Sequence, residues 1–489
     1  MPTVSIAPPV SGLGDLSTES RMIATPWSRL VRGIGLGQYP VDYDPAVAER
    51  IRHVFALLAD KVSAGHAYTR FSSLLADLVL RAADPAEELT RADAEASLIA
   101  ITEALRAEQN PYFQLTAACI LLDAFAKLGL DRTLLTDGGR DLPGEALAAL
   151  DRIEPDRIKD ENQGRHGDYE RLSASTAVFL ALGQAGFADR LISPRNHVRE
   201  ALALLDRIPA PFFRGRGGAM LLSVVSLLGH DGLALDDGHD RLAEVLDYLD
   251  HADEVNLPPA FPQPLSPAFA KIYPLLTTLN AVAMSGRARY LEHGRDRLAE
   301  AKDLMARISP VERTHMSLYY LVALHNLGRL DDQIPDLDAF VEELLGQAAR
   351  IEPGANYFLN GISYSYLIET AMVTGRTDLL TDELLDRLAD CFPDLDRTDE
   401  DRVNRPYPMS YALTMLGEVG AADRFFLPRP RYAGAPALDW AIARLSAGAR
   451  DEPRLYMLDH ALINYALRLR GAGAPETELF GHFRFRLAG

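Results

Sequence analysis

From Asp44 onward apolar residues recur three and four positions apart, as in VAERIRHVFALLADKV at 47–62, and no segment sustains the strict alternation of a strand. The pattern predicts an all-α chain. Residues 1–44 differ, because they are rich in Pro, Gly and Ser and have little period. They read as an irregular N-terminal leader that packs Trp27 and Tyr39 onto the body.

Within the helical region a small motif recurs, in which an apolar helix end is followed by Gly and often by Asp. It stands at Gly129, Gly186, Gly229, Gly286, Gly328, Gly375 and Gly420, with gaps of 57, 43, 57, 42, 47 and 45 residues. Glycine there is expected to take the left-handed conformation that closes a helix, which costs other residues a Cβ clash. A second phrase ends a different helix: LAALDRIEP at Pro155, LALLDRIPA at Ala210, LMARISP at Pro310 and GQAARIEP at Pro353. Proline forces the chain out of that helix into a loop. The helices that follow, such as AMLLSVVSLLG and HMSLYYLVALHNLG, lack a clean polar face and are expected to form an inner layer. The amphipathic first helices are then the outer layer. One hairpin per period gives an array of about eight helical hairpins over residues 45–471, with 472–489 as a C-terminal tail.

The phrases LGRLDD and EALALLDRIP echo tetratricopeptide repeats, and the arrangement resembles both tetratricopeptide-like superhelices and the α/α toroids in which hairpins close into a ring. The periods exceed the roughly 34 residues of a tetratricopeptide repeat, so the resemblance is one of architecture. It transfers no active-site residue.

Composition narrows the partners. At 489 residues and 48% hydrophobic the chain can bury a large core, and its net charge of −19 disfavours nucleic acid and anionic membranes. Only Cys119 and Cys391 are present, both in apolar stretches, which removes a disulfide framework and a cysteine zinc site. No signal peptide and no apolar run long enough to span a bilayer is evident, so a soluble, unprocessed cytoplasmic protein is expected. Walker, dinucleotide-binding, GxSxG and HExxH motifs are missing.

In a hairpin array every loop from a first to a second helix lies on one face. Those loops carry His, Arg, Asp, Asn and Tyr in almost every unit, which in a ring would surround the mouth of a cavity. The densest is 159–171, where His166, Asp168 and Glu170 can supply an acid and a base. A solvated loop with capping acids explains the same residues. FFRGRGG at 212–218 is read as the opening of a helix, whose free N–H groups and two guanidinium forks, Arg214 and Arg216, suit an anion. Its alternative is a turn whose glycines allow close helix packing. Asp236, Asp237 and Asp240 spell DDxxD, which resembles the first Mg2+-binding motif of class I terpene synthases. That resemblance implies Mg2+ as cofactor and an isoprenoid diphosphate as substrate. The second family motif is met only by the degenerate TDLLTDEL at 377–384, and a helix over 217–229 would hold Arg214 and Asp236 about 20 Å apart. Helix capping by DDGHD is the simpler reading.

The sequence favours an enzyme with an α-helical cavity, performing cofactor-independent acid–base chemistry of lyase, isomerase or cyclase type on a small or peptidic anionic substrate. Arg214 and Arg216 clamp the anion, His166 and His315 transfer protons, Asp168 or Glu170 orients them, and Asn360, Arg405 and Tyr407 position the substrate. The rival expectation is a non-catalytic solenoid that binds a peptide or protein along a concave face.

Overall fold

The computed structural model describes residues 43–61, 67–109, 111–153, 167–235, 238–251, 266–348, 357–391 and, apart from 414 and 418, 412–446. The chain is all-α. Its helices in order are α1 (Pro45–Lys61), α2 (Ala67–Ala83), α3 (Arg91–Ala107), α4 (Pro111–Leu128), α5 (Leu142–Asp151), α6 (Gly167–Gln184), α7 (His197–Leu204) and α8 (Pro211–Leu227). They continue as α9 (Arg241–Asp250), α10 (Pro267–Met284), α11 (Arg297–Arg307), α12 (Pro310–Asn326), α13 (Leu337–Ala348), α14 (Tyr357–Val373), α15 (Asp382–Ala389) and α16 (Ala437–Ser446).

Two kinds of helix alternate. The even-numbered helices α2 to α14 pack one against the next in chain order, and α3, α5, α7, α9, α11, α13 and α15 each pack on the even-numbered helix before them. The difference in burial follows the difference in pattern. α11 buries only Arg297, Ala301, Leu304 and Met305, whereas α12 is buried from Glu312 to Leu324 with the sole exception of Arg313. An amphipathic stripe can bury one face, while an unbroken apolar surface must be enclosed on several sides.

All seven glycines expected to close inner helices have positive φ, from 61° at Gly129 to 80° at Gly186. After each, the next N–H returns to a carbonyl five residues back: Phe187 N to Leu182 O at 2.8 Å, Arg329 N to Leu324 O at 2.8 Å, Arg376 N to Ala371 O at 2.7 Å. This is the Schellman closure, and it turns the chain into the next outer helix. The outer helices then start on side-chain caps: Asp141, Asn196, Asp240, Asp296 and Thr381 each accept from a backbone N–H in the first turn. Each such cap typically contributes about 1 kcal/mol.

α1 packs against α16, the last described helix. Arg50 of α1 pairs with Asp423, and His53 Nε2 lies 3.6 Å from Asp439 Oδ2 on α16. Among the described residues no helix is long and apolar enough to cross a membrane.

Candidate functional site

The glycines of α8 define which face of an inner helix looks outward. A Cβ on Gly215 would sit 2.7 Å from Leu249 Cδ2 of α9, and one on Gly218 would sit 2.5 Å from Val245 Cγ2, also of α9. These two positions stand fourteen and eleven residues before the closing Gly229. At about 100° per residue, the opposite, inward face carries the positions thirteen, nine, six and two before the closing glycine.

Read in that register, the inward face carries polar side chains among apolar ones such as Ile120, Met220 and Leu180. Thirteen residues before the glycine stand Thr116, Ser173, Arg216, Tyr273 and His315, and nine before it stand Tyr319 and Tyr366. Arg216, Tyr273, His315, Tyr319 and Tyr366 form a continuous chain of contacts across four consecutive inner helices. The Arg216 guanidinium lies 4.8 Å from the Tyr273 ring centre and donates to its hydroxyl at 3.3 Å. Tyr273 meets Tyr319 edge-on at 5.4 Å, Tyr319 meets Tyr366 edge-on at 5.4 Å, and the two latter hydroxyls are 2.8 Å apart. His315 stacks parallel to Tyr319 and meets the Tyr366 ring edge-on at 4.7 Å. His315, Tyr319 and Tyr366 are buried, whereas Arg216 and Tyr273 are half-buried and form the approachable end.

The structure redistributes the residues singled out from the sequence. Helix α8 begins at Pro211, before the FRGRGG run, so the Arg214 N–H already bonds to Ala210 O at 2.9 Å. The glycine N–H groups are therefore spent inside the helix, and the glycines serve close packing. Gly217 lies against Leu172 and Tyr169 of α6 as Gly215 and Gly218 lie against α9. Two positions apart on a helix, Arg214 and Arg216 diverge. Arg214 donates Nε to Ile208 O at 2.7 Å and stacks on Tyr248 of α9, while Arg216 turns to Tyr273 of α10. The two guanidinium groups thus lie against different helices, Arg214 at α9 and Arg216 at α10. His315 sits inside α12 and not on a loop. Asp168 is 1% exposed at the start of α6 and pairs with Arg207 at 3.0 Å.

Asp240 caps α9, accepting from Ala243 N at 3.2 Å and from the Tyr290 hydroxyl at 2.6 Å, so both its oxygens are engaged in the fold. His166, Arg405, Tyr407, Asp236 and Asp237 lie outside the described residues, and for Glu170 and Asn360 the backbone alone is described. No group of three His, Cys, Asp or Glu able to hold a metal ion occurs among the described residues. Both cysteines are buried, and burial pushes each thiol well above its ordinary range, which disfavours a thiolate.

Sequence reasoning missed Tyr273, Tyr319 and Tyr366, because each is embedded in an apolar phrase and has no motif around it. The signal was available in their register: Tyr319 and Tyr366 each stand nine residues before a closing glycine, and Tyr273 stands thirteen before one, as Arg216 and His315 do. Comparison of the chain with protein-family models, curated proteins and solved structures finds no match in any of the three.

Proposed function

We propose that this protein is an enzyme that encloses a small anionic substrate among its inner helices and moves a proton on it without a nucleotide or redox cofactor. The observation that carries the reading is the chain of contacts from Arg216 through Tyr273 and Tyr319 to Tyr366 and His315. Arg216 holds the anionic group at the half-buried end, where a guanidinium fork matches a carboxylate or phosphate. His315 and the Tyr319–Tyr366 hydroxyl pair exchange the proton, since an imidazole and a phenol within one buried contact set offer both an acceptor and a donor. The packing of α1 on α16 supports an α/α toroid over an open superhelix, because an open array keeps its first and last units apart.

The test is a thermal-shift screen against carboxylated and phosphorylated metabolites. A ligand at a hundred times its dissociation constant should add about 2.7 kcal/mol of stability. The shift is expected to vanish in Arg216→Ala. Incorporation of solvent deuterium into the bound ligand, followed by proton NMR, is expected to fall in His315→Gln and Tyr319→Phe. Absence of any anion-induced shift, or a shift indifferent to Arg216, overturns the reading.

A further inference from the structure

Glu312 is a buried carboxylate, 5% exposed, that the proposed chemistry does not use. It stands in the first turn of α12 and completes a capping box, accepting from Ser309 N at 2.8 Å while its own N–H donates to Ser309 Oγ. The same carboxylate reaches the start of the neighbouring inner helix. Ser266, the N-cap of α10, donates its N–H to Glu312 Oε1 at 2.8 Å and its hydroxyl to Oε2 at 3.0 Å. One negative group thus engages donors at two helix N-termini, where its charge strengthens each bond and both helix dipoles favour it.

This clasp shares one register with the site. Ser266 and Glu312 are 46 residues apart, and so are Phe269 and His315, Tyr273 and Tyr319, and Asn280 and Asn326. Each of these pairs is in contact. Phe269 meets His315 edge-on at 5.4 Å, Tyr273 meets Tyr319 edge-on at 5.4 Å, and Asn326 Nδ2 donates to Asn280 Oδ1 at 2.6 Å. α10 and α12 therefore run parallel and in step from Ser266 to Asn280, or about 20 Å along the axis. Apolar contact between the two helices is non-directional, whereas hydrogen bonds of this length tolerate little displacement. Phe269 is held by the clasped turn itself, since its N–H donates to Ser266 Oγ at 3.1 Å.

We infer that Glu312 is a positioning residue: by clasping Ser266 it sets the register of α12 against α10, and so holds the His315 and Tyr319 rings where the proton is moved. This rests on the reading of His315 and Tyr319 as proton-transfer groups. Glu312 touches no substrate in this role and acts only through the two rings that follow it on α12.

The experiment compares Glu312→Gln with the unaltered protein by two readouts. The first is the carbon-13 NMR signal of the His315 ring, assigned by its loss in His315→Gln, which reports the aromatic rings around it and needs no ligand. A glutamine amide nitrogen cannot accept, so one oxygen is left for three donors and the signal is expected to move. The second is solvent-deuterium incorporation into an anion that gives the Arg216-dependent thermal shift. Incorporation is expected to fall about tenfold or more, because a displacement of about 1 Å is enough for such a loss, while the thermal shift persists. Asp296→Ala, which removes the cap of the outer helix α11, is expected to change neither readout, so loss of a cap as such is not the cause. Should Glu312→Gln fail to fold, Ser266→Ala removes the hydroxyl donor alone and makes the same comparison. An unmoved His315 signal sinks the inference whatever the activity. A moved signal with full deuterium incorporation also sinks it and leaves the proposed function intact. Failure of every anion to bind the unaltered protein sinks the proposed function and this role with it, and the His315 signal then decides separately whether Glu312 sets the register.

Discussion

Arg297, with none of its side chain exposed, donates to both carboxylate oxygens of Asp250, at 2.6 and 2.8 Å. Asp250 ends one outer helix and Arg297 begins the next, where Glu300 three residues on also accepts from it. One unit earlier Arg241 does the same, gripping Asp206 at 2.7 and 2.9 Å with Glu244 as its second acceptor. The pairs are fork-to-fork, so they fix distance and orientation together. Successive outer helices are thereby pinned to each other by charge at the point where their apolar faces are narrow.

Removing one partner of such a pair leaves a buried charge. Asp250→Ala is expected to lower unfolding free energy by about 3 kcal/mol, more than a surface ion pair contributes. Urea unfolding of the variant checks this. Replacing Arg297 and Asp250 together by apolar residues should cost less than Asp250→Ala alone.

The same pairs set an acid limit. Burial alone would raise the Asp250 carboxyl, but the bonds from Arg297, with Arg295 and Lys271 nearby, more than reverse that and hold it below the usual range. Asp206 is likewise lowered, chiefly by its bonds from Arg241. A lowered carboxyl contributes stability that is present above its unfolded value, about 3.9, and lost as pH falls through the folded value. Melting temperature is expected to drop steeply below about pH 4, and less so in Asp250→Asn.

Two histidines act at milder pH. Burial, with Arg195 adding repulsion, lowers His197, and burial lowers His325. Both folded values then lie below the roughly 6.5 of an unfolded chain, which takes up protons first as pH falls. Stability is complete above about pH 7 and is expected to decline from about 6.5 toward the folded values. Melting curves of His197→Leu and His325→Leu should show a flatter decline across that window.

Close approach of α8 to its neighbours depends on missing side chains. Gly218→Val would thrust a branched side chain into Val245 and Leu205, which already lie 2.5 and 3.3 Å from the position of a Cβ. Overpacking of this kind costs about 1–3 kcal/mol, against a smaller gain in helix propensity. Chemical denaturation should show the loss, and unaltered stability would mean that α9 shifts freely.

Much of the architecture was legible in the sequence because it depends on local physics. The closing glycines could be read from Gly129 to Gly420, since a left-handed residue at a helix end is a demand of the backbone itself. The two classes of helix could be read from whether a stretch such as RLAEAKDLMAR keeps a polar face or one such as SLYYLVAL does not. The capping role of Asp240 followed from its place before a helix. The site was legible only in part. Arg216 and His315 carry conspicuous chemistry, yet both stand further inside their helices than the polar runs suggest, because Pro211 and Pro310 already begin them.

What the sequence alone determined, then, is the class of each element and where it stops, because those are settled within a few residues of chain. Which way a side chain points across the bundle is not local. Arg214 and Arg216 are two residues apart and of one type, and only the positions of Tyr248 and Tyr273 on different helices decide that one is spent outward and the other is held inward. The same holds for Tyr319 and Tyr366, forty-seven residues apart, whose hydroxyls meet because α12 packs on α14. The pairing of Arg50 with Asp423, 373 residues apart, is a further case, since nothing local to either residue brings α1 to that part of the chain. Contacts of that range depend on the sum of many small packing rotations, and tertiary structure is where that sum is taken.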